Sequence, residues 1–155
     1  MADTDKYNGF KRGFTIIELL IAIVVIALLM VVVTPFAINV VKKARASQVA
    51  QNFRNIKTAV ENYFYMENPE NPVYMENPEN PEREINFSNL ISKEYIKSIP
   101  DDFSLSIKSA GNNTWLLEIT YNGKNVDIED VKASGMNYVK EIQDKVIVFE
   151  FTLKK

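Results

Sequence analysis

The sequence contains no cysteine and no histidine. Their absence excludes disulfides, thiol nucleophiles, zinc centres of Cys or His ligands, and any histidine general base. It leaves the compartment open, and says only that an exported domain would hold together without a covalent staple. Charge is balanced: 18 Lys+Arg against 20 Asp+Glu give a formal net charge of −2, so no surplus recruits nucleic acid or anionic lipid. No nucleophile elbow, phosphate-binding glycine loop or metal-ligand spacing is present, and no enzyme activity, cofactor or metal is expected. At 155 residues the chain is long enough for one domain and an anchor, but not for two full domains.

What is present is unevenly placed. From Leu19 to Val33 there is no polar residue, and from Phe14 only Thr15 and Glu18 interrupt the run before Thr34. About 20 apolar residues at ~1.5 Å each span a hydrocarbon core of ~30 Å. The segment before it, "MADTDKYNGFKRG", is polar and ends in Lys11, Arg12 and Gly13. A secretory signal peptide also begins basic, but has a shorter apolar core and a small-residue cleavage site behind it. "VVVTPFAINVVKKARA" supplies no such site, which points to a retained anchor. Basic residues flank both ends, Lys6, Lys11 and Arg12 before it and Lys42, Lys43 and Arg45 after it, so the positive-inside rule does not orient it.

Glu18 is the anomaly in this run. A charge at mid-bilayer costs roughly 2.5–3.5 kcal/mol on insertion scales, but Glu18 lies about one turn inside the apolar segment. It is either a helix-end carboxylate that snorkels or stays protonated, or a carboxylate awaiting a fixed positive partner. A cut between Gly13 and Phe14 would create that partner, a free α-amino group on Phe14 with a reference pKa of about 8. Glu18 would then lie in the first turn of a helix, where the dipole favours a carboxylate. In a neighbouring copy of the chain it could pair with the amine.

"KRGFTIIELL" resembles the cleavage-and-assembly motif of the type IV pilin and pseudopilin family. The resemblance covers about the first quarter of the chain and implies the following. Residues 1–13 are a leader that prepilin peptidase removes after Gly13, on the cytoplasmic side, and the same enzyme methylates Phe14. Glu18, fifth from the cut, is the assembly glutamate, and Phe14 takes part in assembly with it. Residues 14–38 are the membrane helix that becomes the filament core. Pro35 sits where the family has a helix-disrupting proline, and "VVVTP", with four β-branched residues before it, is a candidate for local unwinding in a filament. The implied partners are identical subunits in a helical filament, prepilin peptidase, the inner membrane before assembly, and an assembly machine with platform protein, ATPase motor and, in some cells, an outer-membrane secretin. The implied fold is α+β: a long N-terminal helix packed on a small antiparallel-sheet head. The use stays open among a surface pilus, a pseudopilus of a secretion or competence system, and a non-assembling membrane-anchored binding domain.

From Val41 to Tyr65 there is no Gly or Pro. Val49, Phe53, Ile56, Val60 and Tyr63 or Phe64 recur at helical spacing, which predicts an amphipathic continuation over 39–65. Phe14 to Tyr65 would be about 75 Å of helix. Four of the 6 prolines then fall in a tandem repeat, "YMENPENPV" and "YMENPENPE". Each Asn before a proline is pushed out of helical geometry, so 66–84 is expected to be a non-helical acidic loop. Its glutamates raise calcium binding, but EF-hand spacing is absent.

Residues 85–155 read as the head. "SNLISKEYIKS" predicts a short helix with Ser88 as N-cap, stopped by Pro100. "SLSIKS", "TWLLEITY" and "KVIVFEFTL" alternate as half-buried strands, with Leu105 and Ile107, then Trp115, Leu117, Ile119 and Tyr121, then Ile147, Phe149, Phe151 and Leu153 inward. Gly111-Asn112-Asn113 and Asn122-Gly123 are both expected to be hairpin turns. "DIEDVKASG" adds a helical turn ending at Gly135, "NYVKEI" a further strand, and Asp101-Asp102 a turn after Pro100.

Overall fold

The structure is a computed structural model that describes residues 13–67, 85–142 and 145–155. The leader before Gly13 and most of the Asn-Pro repeat, with its calcium question, lie outside the described residues. The chain divides into two compact units, Met1–Asn39 and Val40–Lys155. Helix α1, Ile16–Glu67, contributes to both.

In the first unit α1 is long and apolar enough to cross a membrane, and every described side chain there is exposed. The helix continues through Pro35 without a break. Proline withholds the N–H that would bond the carbonyl of Val31. One residue earlier the Thr34 hydroxyl donates to the Met30 carbonyl at 2.6 Å, folding that polar side chain onto its own backbone.

In the second unit α1 buries one stripe: Val49, Phe53, Ile56, Val60, Tyr63 and Phe64, as their spacing requires. Ala46, Ala50 and Ala59 lie in the same face and let the helix approach closely. The partner layer is a four-stranded antiparallel sheet in the order β1-β2-β4-β3, from Phe103–Gly111, Thr114–Tyr121, Val139–Ile142 (β3) and Val146–Lys154 (β4). Register pairs Leu117 with Phe151 and Ile119 with Phe149, so the inward residues of the central strands stand side by side. Phe53 meets Phe103 and Phe149 edge-on, with ring centroids 5.2 and 6.1 Å away. Phe64 meets Trp115 at 5.3 Å. This is the α+β layout of the pilin fold.

The β1–β2 turn forms at Asn112-Asn113, both with positive φ, which gives the twist a tight hairpin needs. The second expected hairpin, at Asn122-Gly123, does not form. Neither residue has positive φ, and the Asn122 N–H is taken by the Asp102 carbonyl at 2.8 Å. Gly123 instead answers to close packing, because a Cβ there would collide with the Tyr121 ring. The chain runs on to helix α3, Ile128–Ala133, capped by Asp127.

Helix α2 is Phe87–Ser92, and two expectations for it fail. Its cap is Asn86, not Ser88: the Asn86 side chain accepts from the Asn89 N–H at 2.7 Å, the reach of an N-cap to N3. It ends well before Pro100. The Tyr95 N–H returns to the Leu90 carbonyl and the Glu94 N–H to the Ile91 carbonyl, with Glu94 at φ +61°. This Schellman ending usually carries glycine at the left-handed position. Glu94→Gly is therefore expected to stabilise the chain by about 0.5–1 kcal/mol. Urea unfolding in detergent measures it, and a lowered midpoint would contradict the assignment.

Where α1 ends, Glu67 accepts from Lys93 Nζ at 2.8 Å and from the Tyr95 hydroxyl at 3.2 Å. The Lys93 bond holds the Glu67 carboxyl below the usual carboxylate range. A lowered folded-state pKa means the tie is present above the ordinary carboxylate pKa and is lost as pH falls through the lowered one.

Candidate functional site

The residues singled out at the N-terminal end are Gly13, Phe14, Glu18 and Pro35. The first three lie within six residues of one another, while Pro35 is about five turns further along α1. Gly13 and Phe14 precede the helix and are exposed, Phe14 at 83 %. Among the described residues, a Cβ added at Gly13 would meet nothing within 4 Å, so their packing places no demand for glycine there.

The helix begins at Ile16, two residues later than expected from Phe14. The cause is Thr15, which in the sequence is only a polar break in the apolar run. The Thr15 N–H donates to Glu18 Oε2 at 2.8 Å, and the Thr15 hydroxyl donates to the same oxygen at 2.7 Å. The Glu18 N–H reaches back to Thr15 Oγ1 at 3.3 Å. This is a capping box, in which residues three apart satisfy two of the N–H groups a helix start leaves unpaired. Its signal, T-x-x-E, was readable in "TIIE". Thr15 makes Phe14 the residue outside the helix and Glu18 the third inside it. The carboxylate thus folds back toward the backbone next to Phe14, against the positive end of the helix dipole.

The arrangement holds one anion at a helix start, beside the residue whose α-amino group a cut after Gly13 would free. It offers no nucleophile–base pair. Among the described residues, no cluster of three or more Asp or Glu could hold a metal ion.

The family model described as the prokaryotic N-terminal methylation motif matches residues 9–34. The chain therefore carries the N-terminal signal of type IV pilins and pseudopilins, on a chain with the pilin layout. Neither the curated proteins nor the solved structures yield a match.

Proposed function

We propose that this chain is the structural subunit of a type IV pilus. Its precursor waits in the cytoplasmic membrane with residues 1–13 inside and the head outside. Prepilin peptidase cuts after Gly13 and methylates Phe14. The assembly machine then lifts the subunit from lipid, and residues 14–38 bury against those of identical subunits. At ~25 cal/mol per Å² of apolar area, such contacts hold a fibre without covalent bonds. Head-to-tail stacking of one surface on a different one gives an open helix where the rotation between copies does not close a ring. Such a filament serves adhesion, motility or DNA uptake.

The observation that carries this reading is the unsatisfied apolar surface of α1 with Glu18 at its start. Every side chain from Phe14 to Val41 is exposed in the single chain, so its cover comes from lipid or from other copies. The acidic repeat favours a surface pilus over a pseudopilus, since loops on an exposed fibre vary freely.

Gly13 supplies the test. Because no described residue packs against it, Gly13→Leu is expected to leave the fold unchanged while blocking the cut. Intact mass of the membrane-extracted protein should then include residues 1–13, and no filament should form. A normal Phe14 terminus in that variant would refute the cleavage site.

A further inference from the structure

The expected hairpin at Asn122-Gly123 does not form, and its failure leaves a reactive pair outside the sheet. Of the asparagines in the described residues, only Asn122 is followed by glycine. The pair lies between β2 and α3, in neither strand nor helix, and Asn122 is exposed. A hairpin would have held both residues between two paired strands. Here the ladder stops one residue earlier, at Tyr121 opposite Ile147, and the next capped element begins only at Asp127. The Asn122 N–H is held by the Asp102 carbonyl at 2.8 Å, but the Asn122 carboxamide has no hydrogen-bond partner among the described residues. Nor has the Gly123 N–H.

A main-chain nitrogen that follows an asparagine can reach its Cγ and close a five-membered ring. A side chain on the following residue hinders that approach, and glycine has none. Nucleophile and carbonyl belong to one chain, so proximity supplies the advantage and no enzyme is required. The other described asparagines lack one condition or the other. Asn52, Asn55 and Asn62 are fixed within helix α1, and Asn112, Asn113 and Asn137 are followed by residues with side chains.

We propose that Asn122 is a site of spontaneous covalent modification, at which the Gly123 nitrogen attacks Asn122 Cγ. The N–Cγ bond forms, the Cγ–Nδ2 bond breaks and ammonia leaves, the Gly123 amide proton passing through solvent to the leaving nitrogen. Water then opens the succinimide at either carbonyl. The products are aspartate or, where the main chain is rerouted through the former side chain, isoaspartate. Water is the only co-reactant, and nothing is oxidised or reduced. Each converted subunit gains one negative charge next to Asp102. The isoaspartyl form also inserts a carbon into the main chain just before Gly123, whose backbone lies so close to the Tyr121 ring that a Cβ there would collide with it. The age of a subunit is thereby written into the charge and packing of its head. This goes beyond the filament reading and stands independently of it.

The test uses the full chain extracted from membranes into detergent. It is incubated in mildly alkaline buffer, folded and in parallel in urea, and its peptides are read by mass spectrometry. The expected result is acid in place of amide at residue 122, with isoaspartate among the products, at a folded rate within about tenfold of the unfolded one, since no described hydrogen bond holds the attacking amide. Asn112, Asn113 and Asn137, exposed but without a following glycine, should keep their amides over the same period. Asn122→Gln enlarges the ring to be closed by one atom and should abolish the change. A folded rate slower than that limit, faster loss of amide at another described asparagine, or the same mass gain in Asn122→Gln overturns the proposal. No filament is needed for the measurement, so absence of filaments would count against the filament reading alone.

Discussion

Cells in which Glu18 is replaced by alanine are expected to process the chain normally and to shed almost no filament. Two effects of unequal size are removed. The smaller is the capping box, whose loss costs about 0.5–2 kcal/mol of helix stability and leaves Thr15 as the remaining cap. On the filament reading proposed above, the larger is the match between a carboxylate and the amine of a neighbouring Phe14. In the apolar core of a fibre an uncompensated charge costs several kcal/mol, and Glu18→Ala leaves the amine uncompensated in every subunit. Added over many subunits, that penalty stops growth. The proposed cut lies before Phe14, so processing should survive. Mass spectrometry of the membrane fraction and electron microscopy of the sheared fraction measure the two halves separately. Normal filament yield would defeat the assembly role.

Phe53→Ala should unfold the head before it alters the N-terminal motif. Phe53 is fully buried and touches the rings of Phe103 and Phe149, joining α1 to both an edge strand and a central strand. Truncating such a ring costs about 3–5 kcal/mol, a large share of a small domain's ~5–15 kcal/mol. No disulfide is present to offset it. Urea unfolding of the detergent-solubilised chain is expected to show the loss as a lower midpoint. Tyr65→Ala, at a residue 64 % exposed on the same helix, should change stability by no more than about 0.5 kcal/mol. Equal effects from the two would contradict the packing described here.

The features around Glu18 and Phe53 differ in how visible they are in the sequence. The buried stripe of α1 and the inward residues of β1, β2 and β4 follow from periods of 3.6 and 2, because burial repeats along the chain as the backbone does. Gly13, Phe14 and Glu18 stood out because an apolar run makes one carboxylate conspicuous. Thr15 did not, since a threonine at the edge of such a run reads as filler until its hydroxyl is seen to cap the helix. Local turn chemistry was an uneven guide. Asn112-Asn113 makes the hairpin its residues favour, but Asn122-Gly123 does not, because what pairs with β2 is decided by strands far along the chain. Ser88 was the expected cap, and Asn86 takes its place because serine and asparagine both cap helices and it is the Asn86 side chain that reaches the Asn89 N–H. The strand order β1-β2-β4-β3 has no signature in any short stretch, since it is a choice among long-range partners.

The most direct measurement is the N-terminal peptide of the protein sheared from the cell surface, identified by mass spectrometry. A terminus at Phe14 with one added methyl group, abundant in the sheared fraction, is the predicted result. The same peptide confined to the membrane fraction would contradict the surface pilus and favour a pseudopilus. A terminus at Met1 or Ala2 would contradict processing altogether, and would return Glu18 to the role of a cap at the start of a membrane anchor.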